Sequence, residues 1–568
     1  MNEYALYHRT ESNYCYPTSK DEITIRIRVC KDDDISKIYL IYGCKYDFYA
    51  VQHQKEMKIR YEDNLYKYYE VNLILKDVRL TYIFKILSKG KIYYYSEDGL
   101  SSTYDFKLNF YNCFQYAYIH ESDVHKMIDF MRKGVFYEIF VDRFKIGNKN
   151  KDMSYINMKW NGKPTPKSFA GGDLEGVISN LNYLKRLGVN GLYLTPIFKS
   201  ISNHKYDIED YFEIDKQFGD EETLKRLVKI AHEKKMKVVL DAVFNHISDR
   251  SYFFQDAIKY KKQSKYYDWF IFDDKGDYEC FSVCKYMPKL NTDNTEVQDY
   301  LIKVGKYYIQ KFDIDGWRLD VSDEVSHSFW KRFRKELKEV KEDIVLIGEN
   351  WHDANKYLQG DEFDSIMNYA FTKALLDYLA FNKYSSKQMS EKLNSLLIRN
   401  TEQVNRMMLN LMDTHDTLRF YTEINKDLDR YLIALSLLYF YDGVPCLYYG
   451  DESLMEGGYD PDSRRGFKKD TSNAAYKLII ELSKLKKNNG FANSKLYVKE
   501  ENDLLILERI ASNCTYRLVI NIGNEKKYLP NDILLSNNFN VDIIDKYGFV
   551  IERRIRWNVM LSLCALMC

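Results

Sequence analysis

The 568-residue sequence is nearly without net charge, with 84 Lys and Arg against 83 Asp and Glu. No long-range field favours nucleic acid or an acidic membrane. Its 10 cysteines lack paired spacing. Cys280 and Cys284 lie closest, and no second pair or His-x-x-x-His string completes a zinc set. Reduced thiols in a cytosolic protein are expected rather than a disulfide framework. The N-terminus, MNEYALYHRTESNY, lacks the basic start and apolar core of a signal peptide. The apolar tail at 557–568 would extend only about 18 Å as a helix, short of the bilayer core of about 30 Å. Internal repeats, low-complexity tracts and flexible Gly/Ser linkers are absent. Charge runs at 31–34 and 233–237 read as solvated surface. What remains fits a large soluble protein.

Aromatics are abundant, with 51 Tyr and 31 Phe. Most of this follows a general bias toward Tyr, Phe, Ile, Lys and Asn, and a minority is available for stacking. The length suggests roughly four domains, although an α/β barrel alone takes about 250 residues or more. Residues 1–120 read as strands, ITIRIRV at 23–29 alternating strictly, which points to an antiparallel β-sandwich. A linker follows at 121–134. From 135 to 490, strands alternate with amphipathic helices, the pattern of a parallel sheet covered by helices. Eight strands counted from Phe136 make a closed (β/α)8 barrel, a TIM barrel, the economical reading. FYEIFVDRF is its first strand, ending in charge. The aromatic stretch at 249–291 is too long for a loop and reads as an inserted domain. Residues 491–568 return to strands as a C-terminal β-domain.

Four strings deliver charge at or beside strand ends: DAVFNH (241–246), DGWRLDV (315–321), IGEN (347–350) and THD (414–416). Polar groups at strand ends of such a barrel read as catalytic. Asp320, Glu349 and Asp416 stand out. A retaining glycosidase needs two carboxyl groups flanking the scissile bond, one nucleophilic and one donating a proton; a third stabilises developing charge on the sugar. Arg318 and Asp320 lie two apart on one strand and share a face, so the guanidinium is expected to lower the Asp320 pKa. Glu349 must hold a proton, and Asp320 and Asp416 are expected to raise its pKa as close negative neighbours. His246 and His415 are candidates for bonding sugar hydroxyls, and Tyr206 for stacking on a sugar ring.

With these residues in place, the chain resembles the α-amylase family of glycoside hydrolases, and more narrowly its neopullulanase, cyclomaltodextrinase and maltogenic amylase subgroup. FVDRF (140–144), GGDLEGV (171–177), NHKYD (203–207), MPKLN (287–291) and GENWHDA (348–354) carry the likeness, which spans nearly the whole chain. The resemblance implies Asp320 as nucleophile, Glu349 as general acid/base and Asp416 as transition-state stabiliser. It implies that Arg318, His246, His415, Tyr206 and Asp241 support the reacting sugar, and that Asp460 and Arg464 grip the non-reducing side. Glu324 and Trp351 fall on the acceptor side, with Asp323 where the subgroup usually has Asn.

The resemblance further implies calcium between the loop after FVDRF and the GGD turn, with Asn148, Asn150, Asp152 and Asp173 as oxygen donors. Ile146 and Lys149 depart from that pattern. Beyond YGFV (547–550), where the family usually ends, residues 551–568 look foreign to a final β-strand. The activity implied is hydrolysis of α-1,4-glucosidic bonds in cyclodextrins, pullulan or maltooligosaccharides. The alternatives are an α-1,6-glucosidase, a transglycosylase, or a non-catalytic sugar-binding relative. A cytoplasmic homodimer is expected, its N-terminal domain pairing protomers.

Overall fold

A computed structural model describes residues 1–555; the tail singled out at 557–568 lies outside the described residues. The N-terminal strands run from Cys15–Pro17 to Phe114–Tyr116 and pair antiparallel. In the strand Glu22–Cys30, Ile23, Ile25, Ile27 and Val29 enter a core with Ile38, Leu40, Phe84 and Ile86. The alternate face, which period-two reasoning assigns to water, is buried as well: Thr24 and Arg26 are 2% and 0% exposed. The barrel covers it. Arg26 donates to Glu70 through Nε (2.7 Å), to the carbonyls of Asn13 and Asn400 through Nη1 (3.0 and 3.2 Å) and to the Tyr16 hydroxyl through Nη2 (2.9 Å).

The eight barrel strands are Phe136–Ile139, Gly191–Leu194, Lys237–Ala242, Gly316–Leu319, Val345–Gly348, Ser365–Ile366, Leu409–Leu411 and Val444–Tyr448. All neighbours pair parallel, the first against the last, and a bridge from Met367 to Leu409 closes the ring between the sixth and seventh. The strands are only two to six residues long and buried on both sides, so they read as short apolar runs. The expected first strand is shorter than FYEIFVDRF, because Val141–Phe144 turns into a helix. Helices such as Leu174–Leu187, N-capped by Asp173, and Ser386–Leu397, started by a Ser385–Gln388 capping box, cover the ring.

Two excursions rise from the strand ends. A hairpin, Phe198–Ser200 with Ile208–Ile214, follows the second strand. The segment expected as an inserted domain follows the third. It holds the helix Tyr252–Tyr260 and a set of isolated bridges around Phe270, Cys280 and Leu290, packed by Phe253, Tyr266, Trp269 and Tyr300.

The C-terminal sheet runs from Lys495–Glu501 to Ile543–Ile555. Its last strand corrects one expectation: residues 551–555 continue it, with Ile551 opposite Leu518 and Ile555 opposite Cys514. Glu552 is fully buried and neutralised by Arg517 and Arg554, so the basic run supplies counter-charge to the sheet. The helix Ser386–Leu397 joins all three parts. Asn394 donates to the carbonyl of Glu62 (3.0 Å) and to that of Val498 (3.1 Å). Eight described cysteines are free thiols, and no helix among the described residues is long and apolar enough to cross a membrane.

Replacing Arg26 with Met leaves the Glu70 carboxylate buried with only Lys495 (3.4 Å) and Arg60 (3.8 Å) nearby. A buried pair broken on one side costs about 3–5 kcal/mol, and the remaining cations put this one near the lower end. Denaturant titration of Arg26→Met is expected to show that loss in the first unfolding transition; an unchanged midpoint contradicts it.

Candidate active site

Arg318, at the middle of the fourth strand, is wholly buried and organises the strand-end chemistry. Its Nη1 donates to Asp320 Oδ1 (2.7 Å) and to both oxygens of Asp241 (3.1 Å each). Its Nη2 lies 2.8 Å from Glu349 Oε2, out of line for a hydrogen bond, so that contact is ionic. The fourth strand thus delivers Arg318 and Asp320, the third Asp241, and the fifth Glu349.

Glu349 Oε2 also accepts the Val321 amide (2.9 Å), and Oε1 accepts from the Trp351 indole (3.2 Å). Val321 sits at φ +44°, a left-handed conformation that a β-branched side chain adopts only under strain. That strain turns its N–H toward Glu349. Trp351 stacks face to face on Tyr369, with ring centroids 3.7 Å apart.

Asp416 belongs to a second network. Arg464 approaches its Oδ1 (3.1 Å) and His415 Nε2 its Oδ2 (3.1 Å). Asp460 contacts the other side of Arg464 at 2.9 Å. His415 Nδ1 is 2.6 Å from the carboxylate of Glu138, on the first strand. Tyr206 lies parallel to the His415 ring, and its hydroxyl is 2.7 Å from His415 Nε2 and donates to Asp241 (3.0 Å). Asp416 is thus held between His415 and Arg464.

Burial pushes the Asp320 carboxyl well above the ordinary aspartate range; Arg318 opposes the rise, while Glu349 and Asp241 add to it. This reverses the expectation that the guanidinium dominates, since desolvation outweighs it in the substrate-free site. Burial would also raise Asp416, but His415, Arg464 and Arg318 hold it below its usual value. Burial alone would lower His415, and Asp416 with Glu138 outweigh it, so it is raised. Burial drives His246 down to about 3 and leaves a neutral ring whose Nε2 has no hydrogen-bond partner among the described residues. A buried imidazole nitrogen without a partner suits a ligand hydroxyl.

A cleft of about 450 Å³ opens over these groups, lined by Tyr206, His246, Asp320, Glu324, Glu349, Trp351, Asp416, Asp460 and Arg464. Asp241, Arg318 and His415 lie beneath it. Glu324 is half-exposed and held by Lys289 at 3.3 Å. Asp323, at the position usually Asn, pairs with His352 at 3.0 Å. A larger hollow of about 1240 Å³ lies under the barrel, between the strand starts and the N-terminal domain, and holds none of the three acids. Its position at the N-terminal face speaks for scaffold rather than chemistry.

Sequence reasoning missed several groups here. Glu138 had a signal, a carboxylate inside an otherwise apolar strand. Phe281, which stacks on His246, and Met287 bring the inserted segment to the cleft wall. Val321 carried no signal, because its role is its backbone. The four side chains implied as calcium donors differ in their surroundings. Asp173 is buried, while Asn148, Asn150 and Asp152 are exposed, with Asn148 and Asp152 capping the backbone amides of Asn150 and Ser154.

Comparison with known proteins shows the family to which the chain belongs. The family described as "Alpha amylase, catalytic domain" matches residues 138–279 and 272–506, and "Alpha amylase, N-terminal ig-like domain" matches residues 1–120. A cyclomaltodextrinase of Thermoanaerobacter pseudethanolicus is 41% identical over 82% of this chain and 82% of its own length. A maltogenic alpha-amylase of Bacillus acidopullulyticus is 38% identical over 89% of this chain and 86% of its own. A solved cyclomaltodextrinase structure superposes with a TM-score of 0.91 at 33% identity, covering 98% of this chain and 100% of that one.

Proposed function

Since the chain belongs to the α-amylase family of glycoside hydrolases, we propose that it cleaves α-1,4-glucosidic bonds in cyclodextrins, pullulan and maltooligosaccharides with retention of configuration. The observation that carries the mechanism is the placing of Asp320 and Glu349 on the two terminal nitrogens of one guanidinium. Two carboxyls that close suit the spacing of a retaining pair, about 5–5.5 Å, better than the about 6.5–9.5 Å that inversion needs for its water.

In this reading Asp320 Oδ1 is held by Arg318, and Oδ2, with no hydrogen-bond partner among the described residues, attacks the anomeric carbon. Glu349 protonates the departing oxygen. It then takes a proton from the water that releases the glycosyl-enzyme. Asp416 grips hydroxyls of the reacting ring as charge develops, while Tyr206 stacks against that ring and His246 accepts or donates at a hydroxyl. Asp460 and Arg464 bound the non-reducing side; Glu324 and Trp351 face the acceptor. The half-exposed face of Trp351 also supports transfer to a sugar acceptor as a second reading. Free thiols support a reducing compartment, the cytoplasm.

Asp320→Asn and Glu349→Gln are each expected to lower turnover on β-cyclodextrin by roughly 10⁴-fold while the variants stay folded. Proton NMR of the first product of the native enzyme should show the α-anomer. Near-normal turnover of either variant, or an initial β-anomer, sinks the assignment.

The nucleophile works only ionised, and burial has raised its carboxyl. Activity is then present above that raised value and lost as pH falls through it, so the acid limb of kcat/KM lies above the ordinary aspartate range. It reports the coupled pair rather than one residue. An acid limb at or below the usual aspartate value contradicts this.

The N-terminal domain supports a homodimer. The loop at 44–51 and the turn Phe106–Tyr111 abut through Phe48 and Phe106, and expose Tyr46, Tyr49, Val51, Leu108, Phe110 and Tyr111. A contiguous apolar surface of this kind marks an interaction site. Sedimentation of Phe110→Glu/Tyr111→Glu should show a monomer where the native chain sediments as a dimer. A native monomer at micromolar concentration defeats the proposal.

A further inference from the structure

Asp173 sits where the family resemblance implies a bound calcium, yet its carboxylate is already saturated from inside the chain. Oδ1 accepts the amides of Gly147 (2.9 Å) and Gly176 (2.8 Å), and Oδ2 the amide of Asn148 (3.1 Å). The ammonium of Lys151 lies 3.0 Å from Oδ2 and donates to the carbonyls of Gly171 (2.8 Å) and Gln217 (2.7 Å). An ammonium has three hydrogens to give, and here the Gly171 and Gln217 carbonyls, from two separate segments, accept two of them while the Asp173 carboxylate, on the same turn as Gly171, lies in ionic contact. The side chains of Lys151 and Asp173 are 8% and 1% exposed.

The remaining donors do not fit a metal. Calcium takes six to eight oxygens at about 2.3–2.6 Å, and Asn148, Asn150 and Asp152 point into the solvent-exposed loop instead. Among the described residues no group of three or more His, Cys, Asp or Glu side chains is arranged to hold a metal. The backbone leaves little room either. A Cβ on Gly147 would fall 2.1 Å from the Gly176 amide, and one on Gly176 would fall 1.8 Å from the Lys145 carbonyl. The loop is pressed directly onto the helix start.

We propose that the Lys151 ammonium does the structural work of a bound cation, so that this enzyme closes the junction of its first barrel loop and GGD turn without calcium. The clip reaches the cleft. Gln217, whose carbonyl holds Lys151, accepts from Lys205 Nζ at its side-chain oxygen (2.7 Å). Lys205 is also anchored to Asp215 (2.8 Å) and to the Ser200 carbonyl (3.0 Å). It immediately precedes Tyr206, so two internal cations in series fix the hairpin that carries the stacking tyrosine.

The test is thermal unfolding of the full-length native protein in EDTA and in millimolar calcium chloride, with metal analysis of the purified chain. Identical midpoints and less than one-tenth of a calcium per chain are expected. A midpoint that drops in EDTA and recovers with calcium overturns the proposal. So does stoichiometric calcium. Lys151→Met, which removes the ammonium but keeps most of the stem, is expected to lower the midpoint by several degrees; an unchanged midpoint would show that the ammonium holds nothing. Should that variant fail to fold, the chelator comparison on the native chain still decides.

Discussion

A single guanidinium, that of Arg318, is the constraint from which the active site follows. Fully buried charge is tolerated only when paired where it sits, and Arg318 draws Asp241, Asp320 and Glu349 from three neighbouring strands. One positive charge cannot balance three negative ones away from water. Burial first, and then the surplus negative charge of Glu349 and Asp241, raises the Asp320 carboxyl, and burial raises Asp241 as well. A retaining hydrolase needs one carboxylate and one carboxylic acid within reach of the same bond. The geometry then divides the labour. Asp320 is pinned by one oxygen and leaves the other facing the cleft, whereas Glu349 is held on both sides by Val321 and Trp351.

The second network isolates the third acid from this competition. Glu138, placed inward by the first strand, holds one nitrogen of His415 and leaves the other to Asp416 and Tyr206. With Arg464 on its second oxygen, Asp416 keeps its charge below the usual titration range. Two acids a few residues from one another in the folded cleft thus have opposite proton affinities. Both are buried, but Asp320 meets Glu349 and Asp241 beside the one cation Arg318, whereas Asp416 meets His415, Arg464 and Arg318.

Much of this was legible in the sequence because strand-end strings carry their own geometry. Arg318 and Asp320 two apart on a strand must share a face, and they do. Glu349, Asp416, His246 and Tyr206 came together in one cleft from motifs that lie far apart in the chain. What escaped reading has a physical pattern. Val321 contributes a backbone angle and an amide, which residue type does not encode. Arg26 lies at a position that strand alternation assigns to solvent, and only the docking of the barrel against that face buries it. Residues 551–555 looked foreign because a basic run leads there into an apolar one, while Glu552 is fully buried and its counter-charges come from Arg517 on the paired strand and Arg554 beside it. In each case the missing information was tertiary.

The same limit explains the metal. The resemblance pointed to this neighbourhood, where Asp173, the Gly171 carbonyl and the loop after the first strand do converge. On the proposal made above, the ammonium of Lys151, two residues beyond the altered Lys149 position, supplies the charge at its centre on a flexible stem. An ammonium and a calcium ion both satisfy convergent oxygens, but they differ in what they demand. Calcium needs many oxygens and pays back rigidity; an ammonium needs three acceptors and arrives with the chain. Where carbonyls already face inward and the backbone is closely packed, the smaller demand is the one the fold can meet. Such a junction has no free-ion equilibrium to lose, so its order depends on folding alone, and the hairpin bearing Tyr206 inherits that independence.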